Sequence, residues 1–371
     1  MIAIKSRRLN KIMKKIDKDL IMLILFFIVG LAAYLINGTY TSLVAAIILF
    51  VIGLGLLIKG GDSFVEGATS IAERFHIPEV LIGATVVSIG TTLPEVMVSA
   101  QAAAKGVSAI SYGNALGSII CNVSLIAAIT LAVKPAAIDR KPLILPVVFF
   151  FIAAAVYVFN AYVYKTYSRA TGLILLAIFV VYMVMVVVQA LKGNKGAGES
   201  TAKEPEADEE EKKDMPILKA IVYLIMGAAI ITFGAGLLVD NGTIIAHEVG
   251  IPETVIALVF VALGTSLPEL VTAITSLVKG HGALSVGNVI GANLFNLVLV
   301  SGLAITIKPF DVPGYVAGAA ELPTSLLVDI PVAMGVMLVL TVPALIKSKM
   351  YRWQGILLLL TYAGFCVFQF I

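Results

Sequence analysis

Long apolar runs separated by short polar breaks make up most of the chain from residue 20 to its end. An α-helix needs about 20 apolar residues to cross the hydrocarbon core of a bilayer. The pattern therefore predicts an all-α polytopic membrane protein with eleven membrane-spanning helices. The predicted spans are residues 20–36, 42–59, 77–104, 108–133, 142–160, 170–191, 217–239, 252–278, 283–307, 324–345 and 353–371.

The composition agrees with this pattern. Of the 371 residues, 60% are hydrophobic and 13% are charged, whereas soluble domains carry about 25% charged residues. This excludes a soluble enzyme and a nucleic-acid binder. Long unbroken apolar runs also disfavour an outer-membrane barrel, whose strands alternate. Cys121 and Cys366 lie in apolar runs and are interpreted as buried thiols.

Lysine and arginine residues are unevenly distributed between alternate loops. With a cytoplasmic N-terminus, the inside segments hold 22 of the 26 Lys and Arg residues. Cytoplasmic loops carry such an excess, so we expect a plasma (cell inner) membrane protein with its C-terminus outside. The first apolar run is expected to be a retained helix rather than a signal peptide, because no small-x-small cleavage site follows it.

A polar stretch of the chain, residues 192–215, contains the sequences KGNKGAGES and EPEADEEEKKD. Such a composition cannot bury a core and predicts a solvated cytoplasmic linker; a regulatory cation-binding role for the acidic run is the alternative. The predicted organisation is a basic N-terminus with an extra helix (1–41), a first repeat (42–191), this linker (192–215) and a second repeat (216–371).

Two segments, residues 78–126 and 252–300, are copies of one another. They align without a gap at an offset of 174 residues, with 18 of the 49 positions identical. The chain is therefore interpreted as two five-helix units preceded by one unpaired helix. Because five is odd, the second unit enters the membrane from the opposite face, which predicts an inverted-topology repeat.

Each copy contains a G-T-[TS]-L-P-E segment inside an apolar span, which ends at Glu95 or Glu269. Proline within a helix removes an N–H donor and disturbs the carbonyl four residues earlier, so backbone oxygens become available. A charged side chain at the centre of a span costs about 2.5–3.5 kcal/mol on insertion scales. Its occurrence at two equivalent positions predicts a functional site, and a carboxyl group that only locks the fold is the alternative.

The next span of each copy contains G-N-x-x-G-[SA]-x-x-x-N. Ser118 and Asn122 share a helix face, as do Ala292 and Asn296. If these faces meet the glutamates, the site consists of oxygen ligands, which suit Ca²⁺ and Na⁺. Asp329 in the tenth predicted span has no repeat partner and is a weaker candidate.

These paired motifs resemble the alpha repeats of the cation/Ca²⁺ exchanger superfamily, most closely its prokaryotic Na⁺/Ca²⁺ exchanger branch, over residues 42–371. The resemblance implies a ten-helix inverted repeat around four central cation sites. It also implies these ligands: carboxylates of Glu95 and Glu269, carbonyls of Thr91 and Thr265 for Ca²⁺, carbonyls of Ser88 and Ala262 for Na⁺, hydroxyls of Thr92, Ser266 and Ser118, and amides of Asn122 and Asn296.

The chain departs from the family pattern at two positions. Ala292 stands where the family motif commonly has serine, so one Na⁺ site lacks a hydroxyl group. Asn296 stands where some relatives have aspartate, so the centre has two carboxylates rather than three.

The predicted function is a secondary antiporter that exchanges Na⁺ for Ca²⁺ by alternating access and expels Ca²⁺; it is not an enzyme. An H⁺- or K⁺-coupled antiporter of the same fold and a passive cation channel are the alternatives. No P-loop, G-x-S-x-G or H-E-x-x-H motif occurs. The predicted partners are Ca²⁺, Na⁺ and the bilayer, without a cofactor or nucleic acid, and no protein partner can be inferred.

The predicted orientation can be tested by single-cysteine labelling in a background that lacks Cys121 and Cys366. A membrane-impermeant maleimide should label a cysteine at position 371 in intact cells, because the charge distribution places that end outside. Cysteines in residues 192–215 should react only after the cells are permeabilised. Labelling of the linker in intact cells would contradict the orientation.

Overall fold

The computed structural model describes residues 2–39, 42–74, 88–135, 140–193, 215–278, 282–314 and 323–370. These residues form a helical bundle with one small two-stranded sheet. We number the elements α1 (Ile2–Ile36), α2 (Leu43–Arg74), α3 (Ser88–Thr91), α4 (Leu93–Lys105), α5 (Ser108–Val133), α6 (Lys141–Tyr164), β1 (Thr166–Tyr167), α7 (Arg169–Gly193), α8 (Ile217–Val249), α9 (Glu253–Thr265), α10 (Leu267–Val278), α11 (282–307), β2 (Phe310–Asp311), α12 (Ser325–Lys347) and α13 (Arg352–Gln369).

Eight helices of the described residues are long and apolar enough to cross a membrane. They correspond to eight of the eleven predicted spans, namely α1, α2, α5, α6, α7, α8, α11 and α12. The last predicted span, residues 353–371, corresponds to the 18-residue helix α13. The linker prediction falls largely on residues 194–214, which lie outside the described part of the chain.

The two spans that carry the G-T-[TS]-L-P-E motif differ from the prediction, because neither is one continuous helix. The helix is interrupted by a single turn residue, Thr92 in the first copy and Ser266 in the second. A new helix begins at the following leucine. The motif's proline then lies in the first turn of the new helix, where its missing N–H costs no hydrogen bond. Residues 77–87 of the first of these spans lie outside the described residues.

The duplicated sequence is accompanied by duplicated helix boundaries. The short segments Ser88–Thr91 and Ala262–Thr265 both end at the break, and each has its copy 174 residues away. The wide π-helical turns that begin at Asn122 and Asn296 keep the same offset. Local structure therefore follows the repeat at the segments that carry the motifs.

The long helices α2 and α8 pack against each other in antiparallel directions through small residues. Gly53 faces Gly234, and seven residues further along α2, Gly60 faces Gly227. A Cβ atom added at Gly60 would lie 2.9 Å from the backbone N of Ile231 and 3.0 Å from the carbonyl O of Gly227. The two backbones are in close contact, as small residues allow between membrane helices.

The unpaired helix α1 packs on this helix pair. Phe27 and Tyr34 lie 5.7 Å and 5.5 Å from Phe233 of α8, measured between ring centroids. Beyond the end of α1, the Asn37 side chain donates a hydrogen bond of 2.6 Å to Asp240. Lys105, at the end of α4, forms a 2.5 Å ion pair with the same carboxylate. Three segments assigned to the outer face by the charge count are thus joined on one side of the bundle.

The helices that carry the second motif are the most enclosed. In the most apolar stretch of α5, 78% of the residues are buried, and in that of α11, 67% are buried. In α7 the buried share is 22%. The polar face of α5 and α11 therefore lies at the centre of the bundle, and α7 lies at the periphery.

The close contact between α2 and α8 predicts unequal effects of two glycine substitutions on one helix. Gly60→Ala should lower the stability of the purified protein by about 1–3 kcal/mol, because the added methyl group overpacks the interface. Gly55→Ala on the exposed face of α2, where no described atom lies within 4 Å, should be neutral or slightly stabilising. Thermal unfolding in detergent measures both. Equal losses of stability would contradict the packing.

Candidate cation site

Glu95 and Glu269 each lie in the first turn of a helix that begins directly after a break. The first N–H groups of a helix lack intrahelical partners and carry partial positive charge, so this position favours a carboxylate. Glu95 is 1% exposed, and Glu269 is half-buried. Ser266, three residues before Glu269 in the same motif, contacts the Glu95 carboxylate, so the two motif segments lie side by side. The repeat therefore brings two acidic groups from different halves of the chain to one place.

A hydroxyl group from the second half contacts the carboxylate of the first. The Ser266 hydroxyl donates a hydrogen bond of 3.3 Å to Oε1 of Glu95. The other oxygen, Oε2 of Glu95, is buried and has no hydrogen-bond partner among the described residues, and the same holds for Oε2 of Glu269. Burying such an acceptor without a partner is costly, and a bound cation would satisfy both oxygens.

Three of the neutral side chains implied as ligands also have a buried oxygen without a hydrogen-bond partner among the described residues. They are Oγ of Ser118, Oδ1 of Asn122 and Oδ1 of Asn296, on the central helices α5 and α11. Other buried hydroxyl and amide atoms are also unpaired, but the carboxylate oxygens in this condition are those of Glu95 and Glu269. Most buried polar groups in proteins are hydrogen-bonded, so each of these unpaired oxygens is a candidate ligand.

A wide π-helical turn begins at each of the two motif asparagines, Asn122 and Asn296. Such turns insert an extra residue into an α-helix and are common at functional sites. In the second copy the Ser301 hydroxyl donates to the carbonyl of Asn296 at 3.0 Å. The sequence analysis did not predict these turns, since the apolar periodicity runs through them unchanged.

The remaining implied ligands lie at the breaks. Thr92 and Ser266 are the break residues themselves, and both are buried; Thr91 precedes Thr92 and is half-buried. Ser88 is the first residue of α3. The Ala262 carbonyl accepts two hydrogen bonds, from the Thr265 hydroxyl at 3.2 Å and from the Ser266 backbone N–H at 3.1 Å, so this oxygen is already engaged.

Asn114 is a site residue that the sequence analysis did not select. Its amide nitrogen donates to the backbone carbonyl of Glu95 at 3.1 Å and to the Ser99 hydroxyl at 2.9 Å. Its oxygen accepts a 3.1 Å bond from the Thr265 hydroxyl. Asn114 thus connects the Glu95 segment with the second half, whereas the equivalent Asn288 is exposed. In the sequence, the only feature that could have indicated this role is the G-N pair at the start of the second motif.

Asn293, which is fully buried on α11, is a second residue beside the candidate site that the sequence analysis did not select. Its oxygen accepts a 3.1 Å hydrogen bond from the Asn122 amide nitrogen. It follows Ala292, which is 9% exposed. The aligned position in the first copy is Ile119, so the repeat gave no indication of this contact.

Helices α5 and α9 approach closely beside these residues. A Cβ atom added at Gly117 would lie 2.4 Å from the carbonyl O of Leu258 and 2.8 Å from Cβ of Ala262. Gly113, one turn earlier, is equally confined by Ala257. These glycines permit close helix packing, and the contact places α5 beside the segment that ends at the second-half break.

Asp329 is buried near the start of α12 and is hydrogen-bonded to neutral side chains. Its carboxylate accepts a 2.9 Å bond from Ser325 and a 2.7 Å bond from Gln369. Both oxygens are satisfied by neutral donors, and the bond from Gln369 joins α13 to α12. This arrangement has the features of a structural contact and not of an open cation ligand.

The described residues contain no cluster of three or more His, Cys, Asp or Glu side chains that could hold a metal ion. The candidate site instead brings the Ser266 hydroxyl to the Glu95 carboxylate, and the family motifs imply further hydroxyl, amide and carbonyl oxygens. Ligands of this kind suit hard cations such as Ca²⁺ and Na⁺, whereas Zn²⁺ and Cu⁺ prefer nitrogen and sulfur.

Comparison with known proteins places the chain among ion exchangers. Residues 45–188 and 219–371 match the sodium/calcium exchanger protein family. The sodium/calcium exchanger MaX1 of Methanosarcina acetivorans is 31% identical over 355 residues, which cover 87% of this chain and 98% of MaX1. The inner membrane protein YrbG of Escherichia coli is 35% identical over 268 residues, 71% of this chain and 80% of YrbG.

Solved structures agree with this relationship. The structure of the sodium/calcium exchanger from Methanococcus jannaschii aligns with a TM-score of 0.54 at 29% identity, and covers 88% of this chain and 99% of its own. The sodium-calcium exchanger NCX_Mj soaked with Na⁺ and Ca²⁺ aligns with a TM-score of 0.53 at 30% identity, over 86% of this chain and 96% of its own. The prediction of an all-helical exchanger fold is confirmed.

Proposed function

We propose that this chain, which belongs to the sodium/calcium exchanger protein family, exchanges Na⁺ for Ca²⁺ across the plasma membrane and expels Ca²⁺. Membership of the family supports cation/Ca²⁺ antiport. The observation that carries the choice of ions is the pair Glu95 and Glu269, whose buried Oε2 atoms have no partner among the described residues. The related exchanger NCX_Mj was soaked with Na⁺ and Ca²⁺ for its structure, which supports the same two ions for this chain.

The charge of the site accounts for exchange. Two carboxylates balance either one Ca²⁺ or two Na⁺, so the same oxygens serve either load and one load displaces the other. Without a cation, two negative charges would remain close together in a medium of low dielectric constant, where repulsion is strong. The empty site is therefore unfavourable during the transition between the two faces, and this favours exchange over one-way transport.

Neutral oxygens complete the coordination. Ca²⁺ takes six to eight oxygen ligands, more than two carboxylates supply. We assign the remainder to the groups implied by the family motifs: carbonyls of Thr91, Thr265, Ser88 and Ala262, hydroxyls of Thr92, Ser266 and Ser118, and amides of Asn122 and Asn296. Ala262 is the least favoured member in the present arrangement, since its carbonyl already accepts two hydrogen bonds.

The inverted repeat supports alternating access. Five helices in each unit would give the two units opposite orientations, and the helix boundaries at the two motifs match at the repeat offset. In transporters with such repeats, the halves exchange access around a central site. The orientation with a cytoplasmic N-terminus and linker belongs to the same proposal and is supported by the charge count.

Purified protein in proteoliposomes provides the test of the proposed activity. Vesicles loaded with Na⁺ should take up external ⁴⁵Ca²⁺ when the outside medium contains no Na⁺, whereas matched K⁺ or H⁺ gradients should drive little uptake. Uptake driven equally well by K⁺ or H⁺ would overturn the choice of coupling ion. Uptake that requires no ion on the opposite side would indicate a channel.

In the same assay, Glu95→Gln and Glu269→Gln should each reduce the exchange rate by at least about a hundredfold. Removing one partner of a buried ion pair costs about 3–5 kcal/mol, and glutamine preserves the size of the side chain. Glu248→Gln, the same substitution on an exposed part of α8, is the control and should exchange normally. Near-normal exchange by either site variant would contradict the proposed site.

A further inference from the structure

We infer that Asn293 and Met337 are positioning residues that orient the Asn122 amide, so that its oxygen and not its nitrogen faces the cation. This inference rests on the proposed exchange activity and concerns how one ligand of the site is held. It is carried by a chain of two hydrogen bonds that ends at a sulfur atom.

Asparagine is an ambiguous ligand for a cation. Its side chain ends in an oxygen and an NH₂ group of similar size and reach, and only the oxygen can bind a cation. Rotation of the amide by half a turn would present two N–H donors to the ion. An asparagine in a cation site therefore needs another group that engages its nitrogen.

Asn293 supplies that group for Asn122. The Asn122 amide nitrogen donates to the Asn293 oxygen at 3.1 Å, while Oδ1 of Asn122 is buried and has no hydrogen-bond partner in the described part of the chain. Both side chains are fully buried, so bulk water does not compete for the bond. The contact joins α5 to α11 and leaves one oxygen of Asn122 available.

The orientation of Asn293 would be equally ambiguous without a third group. Its own amide nitrogen donates to the sulfur of Met337 on α12 at 3.2 Å. A thioether sulfur has lone pairs but no hydrogen, so it accepts and cannot donate. If Asn293 were rotated, its oxygen would face the sulfur and its nitrogen would face the nitrogen of Asn122. Met337 thus selects one orientation of Asn293, which selects one orientation of Asn122.

Among the described residues, the repeat does not reproduce this relay for Asn296, the counterpart of Asn122. The position of Asn293 corresponds to Ile119 in the first copy, and isoleucine has no hydrogen-bonding side-chain group. Asn296, the counterpart of Asn122, therefore receives no equivalent contact from that position. The duplicated motif does not require the relay, so its presence marks Asn122 as an amide whose orientation matters.

The effect should fall mainly on Na⁺. Two carboxylates dominate the binding of Ca²⁺, whereas the monovalent ion depends more on each neutral oxygen. Loss of one oriented neutral ligand corresponds to about a two- to tenfold change in affinity. Asn293→Leu, which removes the acceptor, should raise the half-saturating Na⁺ concentration by that factor. The maximal exchange rate and the half-saturating Ca²⁺ concentration should change by less than about twofold.

Met337→Leu tests the end of the relay, because leucine keeps an apolar side chain and removes the sulfur. It should raise the half-saturating Na⁺ concentration in the same direction as Asn293→Leu. Met334→Leu, the same substitution at a half-buried position one turn away on α12, is the matched control and should behave as the unaltered protein.

A double-substitution cycle separates orientation from general packing. If Asn293 acts through Asn122, then Asn293→Leu should have no further effect on the Na⁺ dependence of an Asn122→Ala protein. Additive effects in the double variant, or an unchanged Na⁺ dependence in folded Asn293→Leu, would overturn the inference. If Asn293→Leu does not fold, Met337→Leu decides, and an unchanged Na⁺ dependence overturns the inference. Failure of the unaltered protein to exchange would instead refute the proposed function.

Discussion

Two carboxylates inside a membrane protein need nearby positive charge or hydrogen-bond donors to offset the cost of removing them from water. Much of the central structure supplies such groups. Glu95 and Glu269 each lie in the first turn of a helix, where free N–H groups and the helix dipole favour negative charge. Ser266 donates to one carboxylate, yet one oxygen of each remains without a partner among the described residues. The remaining requirement for positive charge is what supports our proposal of a cation site here.

Supplying ligands from both halves requires the helices to approach closely. Gly113 and Gly117 allow α5 to contact the backbone of α9, where a side chain would collide with Leu258. Asn114 then joins the Glu95 segment to Thr265 across the same contact. Glycine at these positions and a bridging amide therefore act together, because the bridge is possible only where the backbones are close.

Features encoded within a short stretch of sequence could be predicted, whereas contacts between distant residues could not. The apolar runs predicted the position of nine helices, and the repeated motifs selected Glu95 and Glu269. The break at Thr92 was not located, because the apolar run continues across it and only the proline indicates a disturbance. The Asn122–Asn293 and Asn293–Met337 bonds depend on which helices become neighbours, and the aligned Ile119 offered no signal for them.

An experimental structure with bound ion would test the central claim most directly. Crystals of the unaltered protein soaked with Sr²⁺, a Ca²⁺ analogue with a strong anomalous signal, should show a peak between Glu95 and Glu269. The peak should lie within coordination distance of a carboxylate oxygen from each residue, about 2.3–2.6 Å for Ca²⁺ and somewhat longer for the larger ion. A peak bound to only one glutamate, or one located away from both, would contradict the account.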